Sequence, residues 1–404
     1  MKNKINRRTF AIQSGASILG LSALNVFASV SARYSSPLSK EFLEELPKMM
    51  ELANVPGLAA AVVENGKVSW SGEFGVKNAD TKEPITAETV FPVGSLGKPV
   101  FAYAVLLLKD EGLLDLDRPL IDYLPIDYVP NEPRARKITA RQVLSHSSGL
   151  QNWRFQTNQQ LQLAFNPGEK FSYSGEGIYY LQRVVEKITG KGFEQFIREK
   201  VFEPFGMKHS SYFWLPEYEK KLVTSHNREG QTAPYLSTPQ IPKMLELATK
   251  WNKPVETWTY EDVERAFPLV ETRVPALPTF FSINAAGTLQ LTVKDYAQIL
   301  IRMLDKSSRD KFSLKDETLK EMLTTQSRIN SALSWGLGIG LETNKDGSYF
   351  WHWGEGVNYR TFVIGNRLKN WGIIVFTNSR NGQRICERII TAAAKKDFAS
   401  FLWV

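Results

Sequence analysis

The sequence predicts an α+β fold: an antiparallel sheet formed from both chain ends, flanked by helices, with an inserted, mainly helical lobe. Three observations carry this reading. Strand-like runs occur at residues 58–80 and again at 334–379. The stretch between them holds helix caps and apolar spacings of three and four. The length of 404 residues, with 43% hydrophobic and 23% charged, accommodates a packed core in two lobes. Residues 38–120 and 283–404 are expected to form the α/β lobe, and about 121–282 the helical lobe, as parts of one domain over residues 38–404.

The elements follow in chain order. The opening "MKNKINRRTFAIQSGASILGLSALNVFASVSA" sets Lys2, Lys4, Arg7 and Arg8 ahead of a short apolar run and small residues at 30–32. That is the layout of a cleavable export signal over residues 1–32. Arg7-Arg8 resembles the twin-arginine type, which addresses a folded cargo to the periplasm or the exterior. Gln13, Ser14 and Gly15 interrupt the run, so no stable membrane span is expected in the mature form. "LAAAVVENGKVSWSGEFGVKNAD" alternates and contains Asn65-Gly66, a hairpin signal. A helix is expected from near Ser95 to Gly112. Thr139-Ala140-Arg141-Gln142 is a capping box that opens a second helical segment, ended by Gly149. Ile178, Leu181, Val185 and Ile188 share one face of a third, which Gly190 stops. Residues 225–282 are rich in Pro, Thr and Gln and give no assignable pattern, and residues 291–305 are helical. The runs "SWGLGIGLE", "SYFWHWG", "NYRTFVIGNR" and "WGIIVFTNS" read as strands, and "RICERIITAAAKKDFASFL" as one terminal helix.

Composition excludes several classes. The formal charge is +8, and residues 1–32 hold four Lys/Arg and no acid, which leaves +4 for the remainder. That is too mild to argue for nucleic acid. Cys386 is the only cysteine, so no intramolecular disulfide and no CxxC site exist. His146, His209, His226 and His352 are scattered without an H-E-x-x-H pattern, against a metallohydrolase. Nothing sets an oligomeric state.

Three pieces carry chemistry. In "FPVGSLGK", Ser95 and Lys98 are three residues apart, close to one helical turn, so both fall on one face. At a helix start the hydroxyl meets free N–H groups, and a half-buried lysine can lose its proton and serve as a base. A capping serine with a surface lysine has the same spacing, and Ser308-Arg309-Asp310-Lys311 repeats it in a charged stretch. In "FSYSGEG", Tyr173 stands between a turn and a helix, where a neighbouring ammonium can lower its pKa toward use as a base. In "FWHWGEG", His352 lies on a strand, placed to donate a hydrogen bond to substrate, and Gly354 would admit an acyl group against the strand edge.

In this order the three pieces resemble the serine β-lactamase-like hydrolases: class C β-lactamases, D-Ala-D-Ala carboxypeptidases, D-aminopeptidases and related esterases. The counterparts are Ser95-Leu96-Gly97-Lys98, Tyr173-Ser174-Gly175 and His352-Trp353-Gly354, and "LSHSSGL", "PGEKFSYSG" and "GIIVFTNS" match as flanks. The resemblance spans roughly residues 40–400. It implies Ser95 as nucleophile, Lys98 and Tyr173 sharing the proton work, and the backbone N–H groups of Ser95 and Glu355 as oxyanion hole. It implies an acyl-enzyme with no metal and no organic cofactor. Two departures stand out. Gly175 replaces an Asn that holds the substrate amide, and His352 replaces a Lys that meets the substrate carboxylate. Both weaken the case for efficient β-lactam hydrolysis and favour an ester or a short, peptidoglycan-like peptide as substrate. Glu176 is a candidate to replace the missing Asn side chain. The rivals are an α/β-hydrolase elbow at Ser147, which would have to follow a strand, and an inactive peptidoglycan-binding protein of the same fold.

Overall fold

The structure, a computed structural model, describes residues 36–156, 158–233, 240–273, 277–281, 283–304 and 310–404. The expected export signal and Ser308 lie outside them. Helix α1 (Lys40–Leu52) is capped by Ser39, whose hydroxyl accepts from the Phe42 N–H. Strands β1 (Gly57–Glu64) and β2 (Lys67–Gly75) follow as the expected hairpin. Asn65 and Gly66 both take positive φ, 51° and 75°, as the tight turn requires.

The middle of the chain runs through β3 (Phe91–Pro92), α2 (Gly97–Asp110), α3 (Ala140–Leu144), α4 (Gly175–Thr189) and α5 (Phe193–Ile197). The short pair β4 (Ser225–His226) and β5 (Thr232–Ala233) precedes α6 (Ile241–Trp251) and α7 (Tyr260–Val270). β6 (Gln290–Leu291), which pairs with β3, leads into α8 (Val293–Leu304) and α9 (Asp316–Met322). The chain then forms β7 (Ser327–Arg328), β8 (Leu333–Trp335), β9 (Gly340–Asn344), β10 (Gly347–Gly356), β11 (Tyr359–Asn366) and β12 (Trp371–Thr377). It closes with α10 (Gly382–Ala394) and α11 (Ser400–Trp403).

Eight strands make one antiparallel sheet in the order β2-β1-β12-β11-β10-β9-β8-β7. The two chain ends meet where β1 pairs with β12, with Ala61 opposite Ile374. Alternate residues of β1 feed two cores, which is why it reads as an almost unbroken apolar run. Ala59, Ala61 and Val63 join the core of α2 and α8. Leu58, Ala60 and Val62 join that of α1, α10 and α11, with Leu46, Met50, Ile385 and Ile389.

Several local expectations hold: the Thr139 box with Gln142 is closed in both directions, and Gly190 ends α4 in the left-handed region. Two need correction. The terminal segment is two helices, because Lys395 turns left-handed at φ 54° and α11 starts afresh. The buried Glu342 carboxylate accepts from the Ala399 and Ser400 N–H groups at 3.0 Å, and Phe401 stacks on Phe362. The unassigned stretch 225–282 contains α6 and α7. The Thr259–Asp262 capping box that opens α7 was present in the sequence, while Pro268 inside the helix obscured it.

Candidate active site

Ser95 is set by a backbone crossing. Gly94, Ser95 and Leu96 form one 3-10 turn that runs into α2, and Gly94 takes φ +54°. Within residues 91–100 Ser95 alone is not buried. Its hydroxyl caps nothing. The helix starts without a side-chain cap, and Ser95 Oγ instead meets Lys98 Nζ at 2.9 Å. The expected helix-start placement is right, but the hydroxyl is committed to the lysine. Tyr212 Oη donates to the Gly97 carbonyl at 2.6 Å and Tyr296 Oη to the Leu96 carbonyl at 3.2 Å, fixing the turn from below.

Lys98 is buried along its whole length. Its ammonium nitrogen also donates to the Ala286 carbonyl at 2.5 Å. Among the described residues no carboxylate bonds to it, and burial pulls its pKa down to about 7. Gln182 on α4 shapes the Ala286 loop by accepting from the Ala285 N–H. One N–H is thus held by a carbonyl while Nζ faces Ser95, the arrangement in which a neutral amine can take the serine proton.

Tyr173 lies immediately before α4, whose N-cap Ser174 accepts from the Gly177 N–H. Lys98 Nζ stands 4.8 Å from its ring centroid. The expectation of a lowered pKa is overturned. Burial raises the phenol far above its ordinary value, with Ser95 opposing and Glu355 adding to the rise. The Tyr173 hydroxyl is buried beside the Ser95 hydroxyl and keeps its proton.

His352 is fully buried on β10. Its Nδ1 lies 2.6 Å from the Trp353 carbonyl. A carbonyl only accepts, so Nδ1 carries the proton and Nε2 presents a lone pair. Burial, reinforced by Lys98, pushes its pKa down to about 3. The side chain is therefore a neutral acceptor at Nε2 rather than the expected donor, and that atom has no partner among the described residues.

Gly354 also does something other than expected. A Cβ there would stand 1.9 Å from the Val93 carbonyl oxygen and 2.3 Å from Thr361 Oγ1. The glycine admits the chain that leads to Ser95, and Thr361 Oγ1 donates to the Val93 carbonyl at 3.1 Å. On the other side, a Cβ on Gly94 would lie 3.1 Å from the Glu355 nitrogen. The backbones of the Ser95 turn and of Glu355 are thereby brought side by side. The Glu355 side chain is exposed and points to Arg360 at 3.9 Å.

At Gly175 a Cβ would fall 2.0 Å from Trp153 Cζ2. An indole occupies the place a side chain at 175 would take, and Asn152 Oδ1 accepts from the Gly175 N–H at 2.9 Å. Glu176 does not substitute for the missing amide. It is wholly buried, with Arg154 donating to both its carboxylate oxygens at 2.9 and 3.0 Å and Tyr128 donating at 3.2 Å.

The rival sites fall away on placement. Ser147 is buried beyond the end of helix α3, not after a strand, and shares a hydrogen bond with Ser145. His226 accepts from the Ala79 N–H through Nε2 and meets the Asn378 carbonyl through Nδ1, which makes it a satisfied core histidine. Among the described residues no cluster of metal-ligating side chains exists, and no helix is long and apolar enough to cross a membrane. Sequence reasoning missed the Ala286 carbonyl, Trp153 and His146, whose ring lies 4.1 Å from that of Tyr173. "LSHSSGL" was the available signal for the last of these.

The sequence model of the family described as Beta-lactamase matches residues 44–395. An uncharacterized protein of Alkalihalophilus pseudofirmus is 30% identical over 191 residues, covering 47% of this chain and 54% of its own. "Protein flp" of Staphylococcus aureus is 22% identical over 346 residues, covering 81% of this chain and 61% of its own. The chain thus spans less than two thirds of the length of these relatives. Among solved structures, the octameric penicillin-binding protein homologue from Pyrococcus abyssi aligns with TM-score 0.68 at 22% identity, over 88% of this chain and 77% of its own. A class C beta-lactamase aligns with TM-score 0.66 at 16% identity, over 87% and 94%.

Proposed function

Since this chain belongs to the beta-lactamase family of serine hydrolases, we propose that it is an exported hydrolase that cleaves esters or amides through an acyl-enzyme on Ser95. The observation that carries this is the 2.9 Å contact between Ser95 Oγ and a buried Lys98 whose pKa lies at about 7. Near neutral pH a large share of Lys98 is the free amine. It takes the proton as Ser95 Oγ attacks the carbonyl carbon. The N–H groups of Ser95 and Glu355 face the developing oxyanion. The protonated Tyr173 donates to the leaving oxygen or nitrogen, the acid half of the role expected for it. Lys98, whose Nζ stands against the Tyr173 ring, returns its proton to the phenolate and is again the free amine. Water then attacks the acyl-enzyme carbonyl, Lys98 takes the water proton, and it passes that proton to Ser95 Oγ as the acyl group leaves.

The substrate side favours esters or short D-amino-acid peptides over β-lactams. Neutral His352 and the indole over Gly175 replace a cation and an amide that would grip a β-lactam's carboxylate and side-chain amide. Export rests on Arg7-Arg8 and the apolar run after them, and cell fractionation tests it. The central test is labelling with a fluorophosphonate followed by peptide mapping, together with p-nitrophenyl ester hydrolysis. Label on Ser95, and loss of both signals in Ser95→Ala, are the expected results. Label on another serine, or full hydrolysis by Ser95→Ala, would overturn the assignment. A chain that binds peptidoglycan fragments yet takes no label would instead be the inactive binder.

A further inference from the structure

The loop that carries His146 is held against the strand-like approach to α4 at two points, and both flank Tyr173. The Ser172 N–H donates to the His146 carbonyl at 2.7 Å. The Ser174 N–H donates to His146 Nδ1 at 3.1 Å. The residue between those two anchors is the tyrosine itself, and the two rings lie 4.1 Å apart. His146 adopts φ +51°, a region that costs a non-glycine residue about 1 kcal/mol or more. It is 1% exposed. A purely packing role would need neither the backbone strain nor an imidazole.

The tautomer follows from the bonds. Nδ1 accepts from an N–H, so the proton of the neutral ring sits on Nε2. Burial, with Lys98 and His352 nearby, holds the ring neutral. Among the described residues its Nε2 is buried without a partner, as is His352 Nε2.

We propose that His146 is the positioning residue for Tyr173, clamping the backbone on both sides of it and packing a tilted ring against its own so that the phenol is held over Ser95 and Lys98. The proposal rests on the hydrolase reading above. His146 touches no reacting atom in this scheme and acts through the tyrosine.

A double-mutant cycle on the full chain tests it, with ester hydrolysis as the readout and kcat and KM separated. His146→Ala removes the acceptor at Nδ1 and the ring packed against Tyr173. It is expected to lower kcat about 10- to 100-fold with KM changed less than about twofold. His146→Asn, which tolerates positive φ and keeps an acceptor near the Nδ1 position, is expected to recover most of kcat. In a Tyr173→Phe background, His146→Ala should cost less than about threefold more, because the group it positions is gone. If His146→Ala does not fold, His146→Gln takes its place, since its carbonyl falls one bond beyond Nδ1. Equal losses with and without Tyr173, or wild-type kcat in the folded Ala or Gln variant, would overturn the clamp while Ser95 labelling kept the hydrolase reading intact. Full kcat in Tyr173→Phe would overturn the tyrosine's role, and the clamp with it.

Discussion

Val93 and Gly354 meet backbone to backbone, with no room between them for a methyl group: a Cβ on Gly354 would lie 1.9 Å from the Val93 carbonyl oxygen. Val93 is two residues from Ser95, so any push on it moves the hydroxyl. Gly354→Ala is expected to lower kcat/KM about 100-fold or more, the scale of a misplacement near 1 Å. The rate of fluorophosphonate labelling should fall in parallel. Gly356, two residues on, provides a contrast. The three atoms nearest its would-be Cβ all belong to the Tyr359 side chain, the first being Cε1 at 2.2 Å. A side chain yields where a backbone carbonyl does not, so Gly356→Ala should cost far less in the same assay.

The pH profile should report Lys98. Its pKa of about 7 makes the free amine, the active form, increase through neutrality. Therefore kcat/KM for a p-nitrophenyl ester is expected to rise with one limb centred near 7 and level off above about 8. His352, held near 3, and Tyr173, raised well above 10, add no limb between about 5 and 9. A second limb in that window would show another titrating group in the rate-limiting step. Lys98→Arg, which stays charged, should abolish both limb and activity.

The same burial has a stability consequence. The Lys98 pKa is lower in the folded chain than in the unfolded, so the unfolded state binds more protons between about 7 and 10.4. Stability from this group is complete above the unfolded value and is lost as pH falls toward the folded one. Below about 7 the loss is full, because both states then carry the proton. Lys98→Met, of similar length and uncharged, should therefore be more stable than the parent at pH 6, by on the order of a few kcal/mol. The gap in Tm should shrink as pH approaches 10. An equal gap at both pH values would mean that Lys98 is not desolvated as the geometry requires.

What the sequence carried plainly was local. Asn65-Gly66 dictates its turn through two positive φ values, Thr139 and Gln142 cap each other within four residues, and the Ser95–Lys98 spacing is one turn of helix. The alternation over residues 58–80 showed strands, but the cover on both faces of β1 was not read from its near-continuous apolar run. The hidden features are contacts between distant backbones. The Ala286 carbonyl that holds Lys98 has no sequence signature, since every residue has a carbonyl. The sense of the Tyr173 shift could not be read either. A nearby ammonium and burial act in opposite directions, and only the packing decides which prevails. At Gly354 the glycine was legible as a close approach, but what approaches it was not.

Trp153 and Gly175 should be energetically coupled. Gly175 begins α4, where exchange to alanine would by helix propensity alone gain up to about 1 kcal/mol. The indole stands in the way, with Cζ2 at 2.0 Å from the new Cβ, and displacing it costs about 1–3 kcal/mol. Gly175→Ala is therefore expected to destabilise the parent chain and to be neutral or stabilising in a Trp153→Ala background. Thermal melts of the four proteins give the coupling energy. A zero value would mean that the ring swings aside freely. The functional counterpart uses asparagine. Gly175→Asn alone should leave nitrocefin hydrolysis weak or absent, because its amide meets the indole. Combined with Trp153→Ala, it has room to face the substrate, and nitrocefin turnover should rise above both single variants. Efficient turnover by the parent chain would show that neither the indole nor neutral His352 excludes a β-lactam.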